Sequence, residues 1–123
     1  MPMLRPLDPA FPIERQLAVE VSPVVLVNVF TLYKADEEAF LQAWRDDALF
    51  MRQQPGFIST RRFTVRSVRV RTYLNCAVWE TTERFRAAFT NPTFRAKLST
   101  YPSSAVATPH LFQKVAVSGV CVG

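Results

Sequence analysis

Cysteine and histidine are nearly missing from this chain, with two of the first and one of the second in 123 residues. Cys76, Cys121 and His110 share no metal-ligand spacing, so no zinc set is expected. Cys76 reads as a buried free thiol rather than a reactive one. No apolar run approaches the roughly 20 residues that a membrane-crossing helix needs. Prolines at 2, 6, 9 and 12 stand where a secretory leader would be apolar, so no leader is expected and the chain is expected in the cytoplasm. A basic stripe interleaved with aromatics, and a module to carry it, are missing as well, which argues against nucleic acid.

Phenylalanine, by contrast, is abundant. Ten in so short a chain point to a core or cavity built largely from aromatic rings. The length suits one domain with a real core. A net charge of +5 would favour an anionic or phenolate ligand, or serve only to keep the protein soluble.

Residues 1–23 carry five of the nine prolines and read as an arm rather than a core element. Within it Arg15–Val21 has some pattern that could pack on the body or across onto a partner. Val24–Leu32 (VVLVNVFTL) has the β-branched composition of a strand and is apolar on nearly both faces. Asn28 interrupts it. A buried amide must find partners, so either neighbouring backbone holds it or it is aimed into a cavity. Asp36 reads as the cap of a helix running to about Gln54, with Phe40, Trp44, Ala48 and Met51 on its inner stripe. Trp44 is expected to pack in the core. Pro55-Gly56 ends the helix, Phe57–Val65 is a strand, and Arg66–Arg69 bridges a hairpin. Arg61, Arg62, Arg66, Arg69 and Arg71 read as solvated hairpin charges, although Arg61 or Arg62 could meet an anionic substrate.

The next strand, Tyr73–Glu80 (YLNCAVWE), alternates. Tyr73, Asn75, Ala77 and Trp79 share one side, while Leu74, Cys76 and Val78 share the other, which is expected to lie under the helices. The first side suits a pocket wall. Thr81 or Thr82 then caps a short helix with Phe85, Ala88 and Phe89 inward. Asn91-Pro92 starts another helix with Phe94 and Leu98 inward, and Ala105–Val117 is the last strand, with Pro109 marking an edge or bulge. Residues 118–123 form a tail. The order is the ferredoxin-like βαββαβ arrangement, an α+β fold with a four-stranded antiparallel sheet and helices on one face. The apolar other face calls for a cover, and a second copy of the sheet is the simplest one.

VNVFTL at 27–32, QQPGFIST at 53–60, NCAVWET at 75–81 and FRAAFTNPTFRAKL at 85–98 resemble the antibiotic-biosynthesis monooxygenase (ABM) family. The resemblance covers residues 24–117 in order. It implies a dimeric α+β barrel, a homodimer through the sheet faces, with a pocket between each sheet and its own helices, and so leaves open which face of Tyr73–Glu80 lines that pocket. It also implies an oxygenase of aromatic polyketide tailoring that needs no cofactor beyond molecular oxygen and converts anthrone-like phenols to quinones. On the same resemblance Asn28 and Trp79 are the catalytic pair, and Asn75, Phe30, Tyr73, Phe89 and His110 are the candidates for contacting an aromatic substrate.

Those residues suit the chemistry. Triplet oxygen reacts poorly with a neutral phenol but accepts an electron readily from a carbanion or phenolate. The protein needs mainly to stabilise the deprotonated substrate and exclude water. No base stands out among the residues. Two rivals remain at this level. A non-catalytic binding barrel fits a pocket without ionisable residues equally well. A haem-degrading relative would carry a ligating His on the helix after the Trp strand, where Glu83–Phe89 has none.

Overall fold

The computed structural model describes residues 2–67 and 69–123; Val68 of the expected hairpin bridge lies outside them, as does the side chain of Arg66. Ten elements follow in order. They are β1 (Met3–Leu4), α1 (Ile13–Gln16), β2 (Val24–Tyr33), a 3-10 turn (Lys34–Asp36), α2 (Glu37–Met51), β3 (Phe57–Arg66), β4 (Val70–Trp79), α3 (Thr82–Phe89), α4 (Pro92–Leu98) and β5 (Val106–Phe112). The sheet order β1-β5-β2-β4-β3 places the β-branched β2 at its centre. Without β1 this is the expected ferredoxin-like α+β arrangement, and the sheet is open rather than closed.

Three expectations are corrected here. The sheet has five strands and is mixed, because β1 pairs in parallel with Val106 and Ala107. The proline-rich segment is therefore not a free arm: Ile13 and Leu17 belong to the core. Its proline spacing prevents long regular structure, yet one two-residue strand and one helical turn suffice to dock it. The buried Thr82 hydroxyl accepts from Val21 N–H at 2.9 Å and fastens the segment's end. The last strand also stops at Phe112 rather than Val117.

Local chemistry explains the element ends. Asn91 Oδ1 accepts from Thr93 N–H at 2.8 Å with Pro92 at the first helical position, and Thr81 Oγ1 accepts from Arg84 N–H at 3.1 Å. Asp36 occupies the cap position of α2 but makes no cap bond; instead its carboxylate accepts from Ser104 Oγ at 2.6 Å. Gly56 turns the chain at φ +89°, and a Cβ there would lie 2.4 Å from Arg84 Cβ, so both backbone and space demand glycine. Pro109 sits in β5 without breaking the ladder. The carbonyls of Ala105 and Ala107 and the N–H of Leu111 all point to the outer edge, so the missing donor of Pro109 falls on that edge too.

Alternation decides the faces. Val24, Leu26, Phe30 and Leu32 of β2, and Tyr73, Ala77 and Trp79 of β4, are buried under the helices. Leu74, Cys76 and Val78 therefore lie on the outer face, opposite to the expectation that they pack beneath the helices. Phe63 and Val65 of β3 stand exposed beside them and extend that apolar outer side.

Candidate active site

Between the sheet and its helices lies a cavity of about 580 Å³ of atom-free space, part of it open to solvent. The sheet contributes Leu26, Asn28 and Phe30 from β2, Phe57 and Thr60 from β3, Asn75, Ala77 and Trp79 from β4, and Pro109 from β5. The helices close it with Trp44, Asp47, Ala48 and Met51 of α2, Phe85 and Phe89 of α3, and Phe94 of α4. The wall is mostly rings and methyl groups, with a few polar atoms to orient a ligand.

The sheet register sets those polar atoms. Asn28 is directly opposite Asn75 on one side and Pro109 on the other, so the two amides share one rung of the sheet and one face. Asn75 Oδ1 accepts from Thr60 Oγ1 at 2.6 Å, which fixes the amide's direction. Asn28 Oδ1 is buried without a hydrogen-bond partner. Trp79 is held by two edge-on rings, Phe57 at 5.4 Å and Phe85 at 5.6 Å. The register shift at Ile58 lets this happen, because the extra residue returns Phe57 to the helix side opposite Trp79.

Phe30 and Phe89 also reach the cavity. Phe30 stacks on Tyr101 at 5.9 Å, and Phe89 continues a line of rings from Phe85 to Phe94. Of the seven residues singled out in the sequence, five meet here. Tyr73 does not line the cavity: it is buried beside Phe40, and its hydroxyl donates to Glu37. Burial and that carboxylate push the Tyr73 hydroxyl's pKa up. His110 is not there either. It alternates with Pro109 and so faces the opposite side of the sheet, where Gln16 Nε2 meets its Nδ1 at 3.0 Å and Phe11 abuts its ring. Its partner is the N-terminal segment.

The arginine cluster is also corrected in part. Arg71 is buried, with Nε 3.1 Å from Glu37 Oε2, and Arg62 lies over the rings of Trp44 at 4.7 Å and Tyr73 at 5.6 Å. Both are on the helix side of the sheet, where alternation puts every second residue of a hairpin. Trp44 itself is half-buried, a cavity wall more than a core filler.

Asp47 was not anticipated. It lies three residues after Trp44 and four before Met51, so the helical period alone puts it on the inner stripe. It is the one ionisable side chain among the cavity's lining residues. Tyr101 donates to Asp47 Oδ2 at 2.8 Å, while Oδ1 is buried and unpartnered. Burial raises its pKa from 3.8 to about 6, against the lowering influence of Tyr101 and the Lys97 ammonium.

Residues 23–97 match the family model of the antibiotic biosynthesis monooxygenases. The chain belongs to this family. Among solved structures, SnoaB, a cofactor-independent oxygenase from Streptomyces nogalater, is 24% identical with a TM-score of 0.69, covering 80% of this chain and 99% of SnoaB. A monooxygenase candidate from Shewanella loihica PV-4 is also 24% identical, with a TM-score of 0.64 over 81% of this chain and 100% of that one. At such identities the likeness shows a shared fold. No protein with a curated description matches. ABM membership supports a monooxygenase-type function, and among the described residues no helix is long and apolar enough to cross a membrane.

Proposed function

We propose that this ABM protein is a cofactor-independent monooxygenase that oxidises an aromatic, anthrone- or quinol-type polyketide substrate with molecular oxygen. The observation carrying this reading is the rung of two facing amides, Asn28 and Asn75, set beside Trp79 in an aromatic cavity. In an anthrone a methylene between two rings becomes a carbonyl: the CH2 group and O2 give C=O and one water. Loss of a proton yields an electron-rich enolate, which passes an electron to oxygen; recombination gives a hydroperoxide that expels water.

Asn28 and Trp79 are assigned the catalytic roles. An amide N–H of Asn28 would hold the enolate oxygen, while Trp79 shapes the slot in which the ring system lies. Asn75, Phe30 and Phe89 bind the substrate. Removal of a comparable oxyanion donor costs on the order of 2.7–4 kcal/mol of transition-state stabilisation. The functional unit we propose is a homodimer through the outer sheet faces, consistent with the exposed Phe63 and Val65 beside Leu74.

The test is oxygen uptake with 1,8-dihydroxyanthrone or a naphthol. Asn28→Ala and Trp79→Phe should lose most of the rate while remaining folded. Near-wild-type rates in both variants would discard the assignment, and recovery of bound substrate intact with no oxygen consumed would favour a binding protein.

A further inference from the structure

Resting on the monooxygenase reading, we infer that Asp47 is the base that takes the proton from the substrate, with Tyr101 as the residue that positions its carboxylate. Three geometric facts converge on Asp47. It lines the cavity that contains Asn28 and Trp79, it is the one ionisable side chain among the lining residues, and one of its oxygens lacks a partner. A buried carboxylate oxygen with no donor is costly, and costly polar groups persist where a ligand supplies the missing contact. The other oxygen is tied to Tyr101 at 2.8 Å, so the side chain cannot swing freely.

The surrounding charges keep the base usable. From the α4 side, Lys97 and the Tyr101 hydroxyl favour the carboxylate. On the sheet side the polar groups lining the cavity are neutral, namely Asn28, Thr60 and Asn75, while Arg62, a β3 cation on the helix side of the sheet, is held over Trp44 at 4.7 Å. Burial brings the carboxyl up to about 6, near the range in which a general base combines a useful ionised fraction with real basicity.

The step balances without a further reactant. Asp47 Oδ1 accepts one proton from the acidic C–H or phenol, and the C–H or O–H electron pair stays on the substrate as an enolate. Oxygen then takes two electrons from that enolate and forms the peroxide anion on the same carbon. The proton on Asp47 passes to the distal peroxide oxygen to make the hydroperoxide; the second C–H proton then joins the departing hydroxide as the O–O bond breaks, so C=O and water form and Asp47 is left as the carboxylate. A stored proton is used once per turnover.

The experiment separates proton transfer from oxygen chemistry. Without oxygen, at pH 8, the full chain is mixed with 1,8-dihydroxyanthrone, whose anion absorbs to the red of the neutral form. Wild type should form the bound anion, and Asp47→Asn should bind the probe in its neutral form. With oxygen, kcat/KM of the variant should fall about 100- to 10,000-fold. Tyr101→Phe should retain activity but move the pH profile upward, because the hydroxyl that favours the carboxylate is gone; a purely structural Tyr101 would leave the profile in place. An equal anion signal from wild type and Asp47→Asn, or a wild type that leaves the probe neutral, would overturn the inference. An Asp47-dependent anion without oxygen uptake would overturn the monooxygenase reading and leave the base assignment standing.

Discussion

Asn28 and Asn75 face one another across the two central strands, and only one of the two carbonyl oxygens has a partner. Thr60 satisfies Asn75 at 2.6 Å, while Asn28 Oδ1 stays buried and unpaired. Nothing in the packing of β2 requires an amide at that rung, since Leu26 and Phe30 on either side fill the same face with hydrocarbon. An unsatisfied buried polar atom costs about 1–3 kcal/mol. Asn28→Val should therefore raise the melting temperature or leave it unchanged, while oxygen uptake with an anthrone falls by about 100-fold or more. Chemical denaturation beside oxygen-electrode rates checks both halves, and a large loss of stability would mean that the amide is structural.

Asp47 predicts a second trade of stability against function. Its folded pKa of about 6 stands above the ordinary carboxyl value of 3.8, so the folded state binds the proton more tightly than the unfolded chain. The stability this confers is fully present below about pH 4 and is lost as pH rises through 6. The interval corresponds to roughly 3 kcal/mol. Asp47→Asn has no proton to lose and can still accept from Tyr101. Denaturant melts should find the variant more stable than wild type at pH 8, with the advantage shrinking as the pH falls to 4. An advantage that grew on acidification would contradict the assigned direction.

These two residues also mark what could be read in the chain beforehand. The βαββαβ order, the helix stripes and the caps at Thr81 and Asn91 were legible because local rules set them, namely period, turn residues and capping chemistry. Asn28 was legible as an anomaly because a polar residue in an apolar strand violates the pattern. Asp47 was as well placed on its helix, but one of two adjacent aspartates, between Arg45 and Ala48, looks like ordinary surface. Only the fold brings Tyr101 to its Oδ2 and encloses its Oδ1. Pattern alone put the wrong face of β4 under the helices, and the resemblance left the face open, for a similar reason: alternation separates two sides, but which side meets the helices depends on register with β2 and β3. The docking of the first 20 residues was hinted at only by the pattern in Arg15–Val21, because the bonds that hold it are long-range.

Gln16 is the pin of that docking. Its Oε1 accepts from Leu111 N–H at 2.7 Å on the strand edge, and its Nε2 donates to Phe11 O at 2.7 Å and meets His110 Nδ1 at 3.0 Å. Gln16→Ala leaves the backbone donor of Leu111 without this acceptor and should cost about 1–3 kcal/mol. The cavity lies on the other side of Pro109, so oxygen uptake should hardly change. Hydrogen exchange should accelerate at Leu111 and in residues 11–17, with little change in β2 and β4. Equal protection in both proteins would show that Ile13 and Leu17 dock the segment without the amide.

The outer sheet face gives the last prediction. Leu74 is opposite Val29 on β2 and Phe63 on β3, so one charge there sits at the middle of the apolar surface without touching the cavity, whose β4 residues alternate with it. Phe63 and Val65 are 58% and 72% exposed, and contiguous apolar surface of this kind is usually an interface. Joining two such sheets gives a symmetric contact in which each Leu74 approaches the partner's face, so an ammonium at that position would be buried in both halves at once. Sedimentation should find wild type as a dimer and Leu74→Lys as a monomer at micromolar concentration. The monomer should keep the far-ultraviolet spectrum of the wild type, because a half-buried outer side chain does not support the helices. A dimer that survives the substitution would place the contact elsewhere, and the exposed rings of β3 would then need another cover.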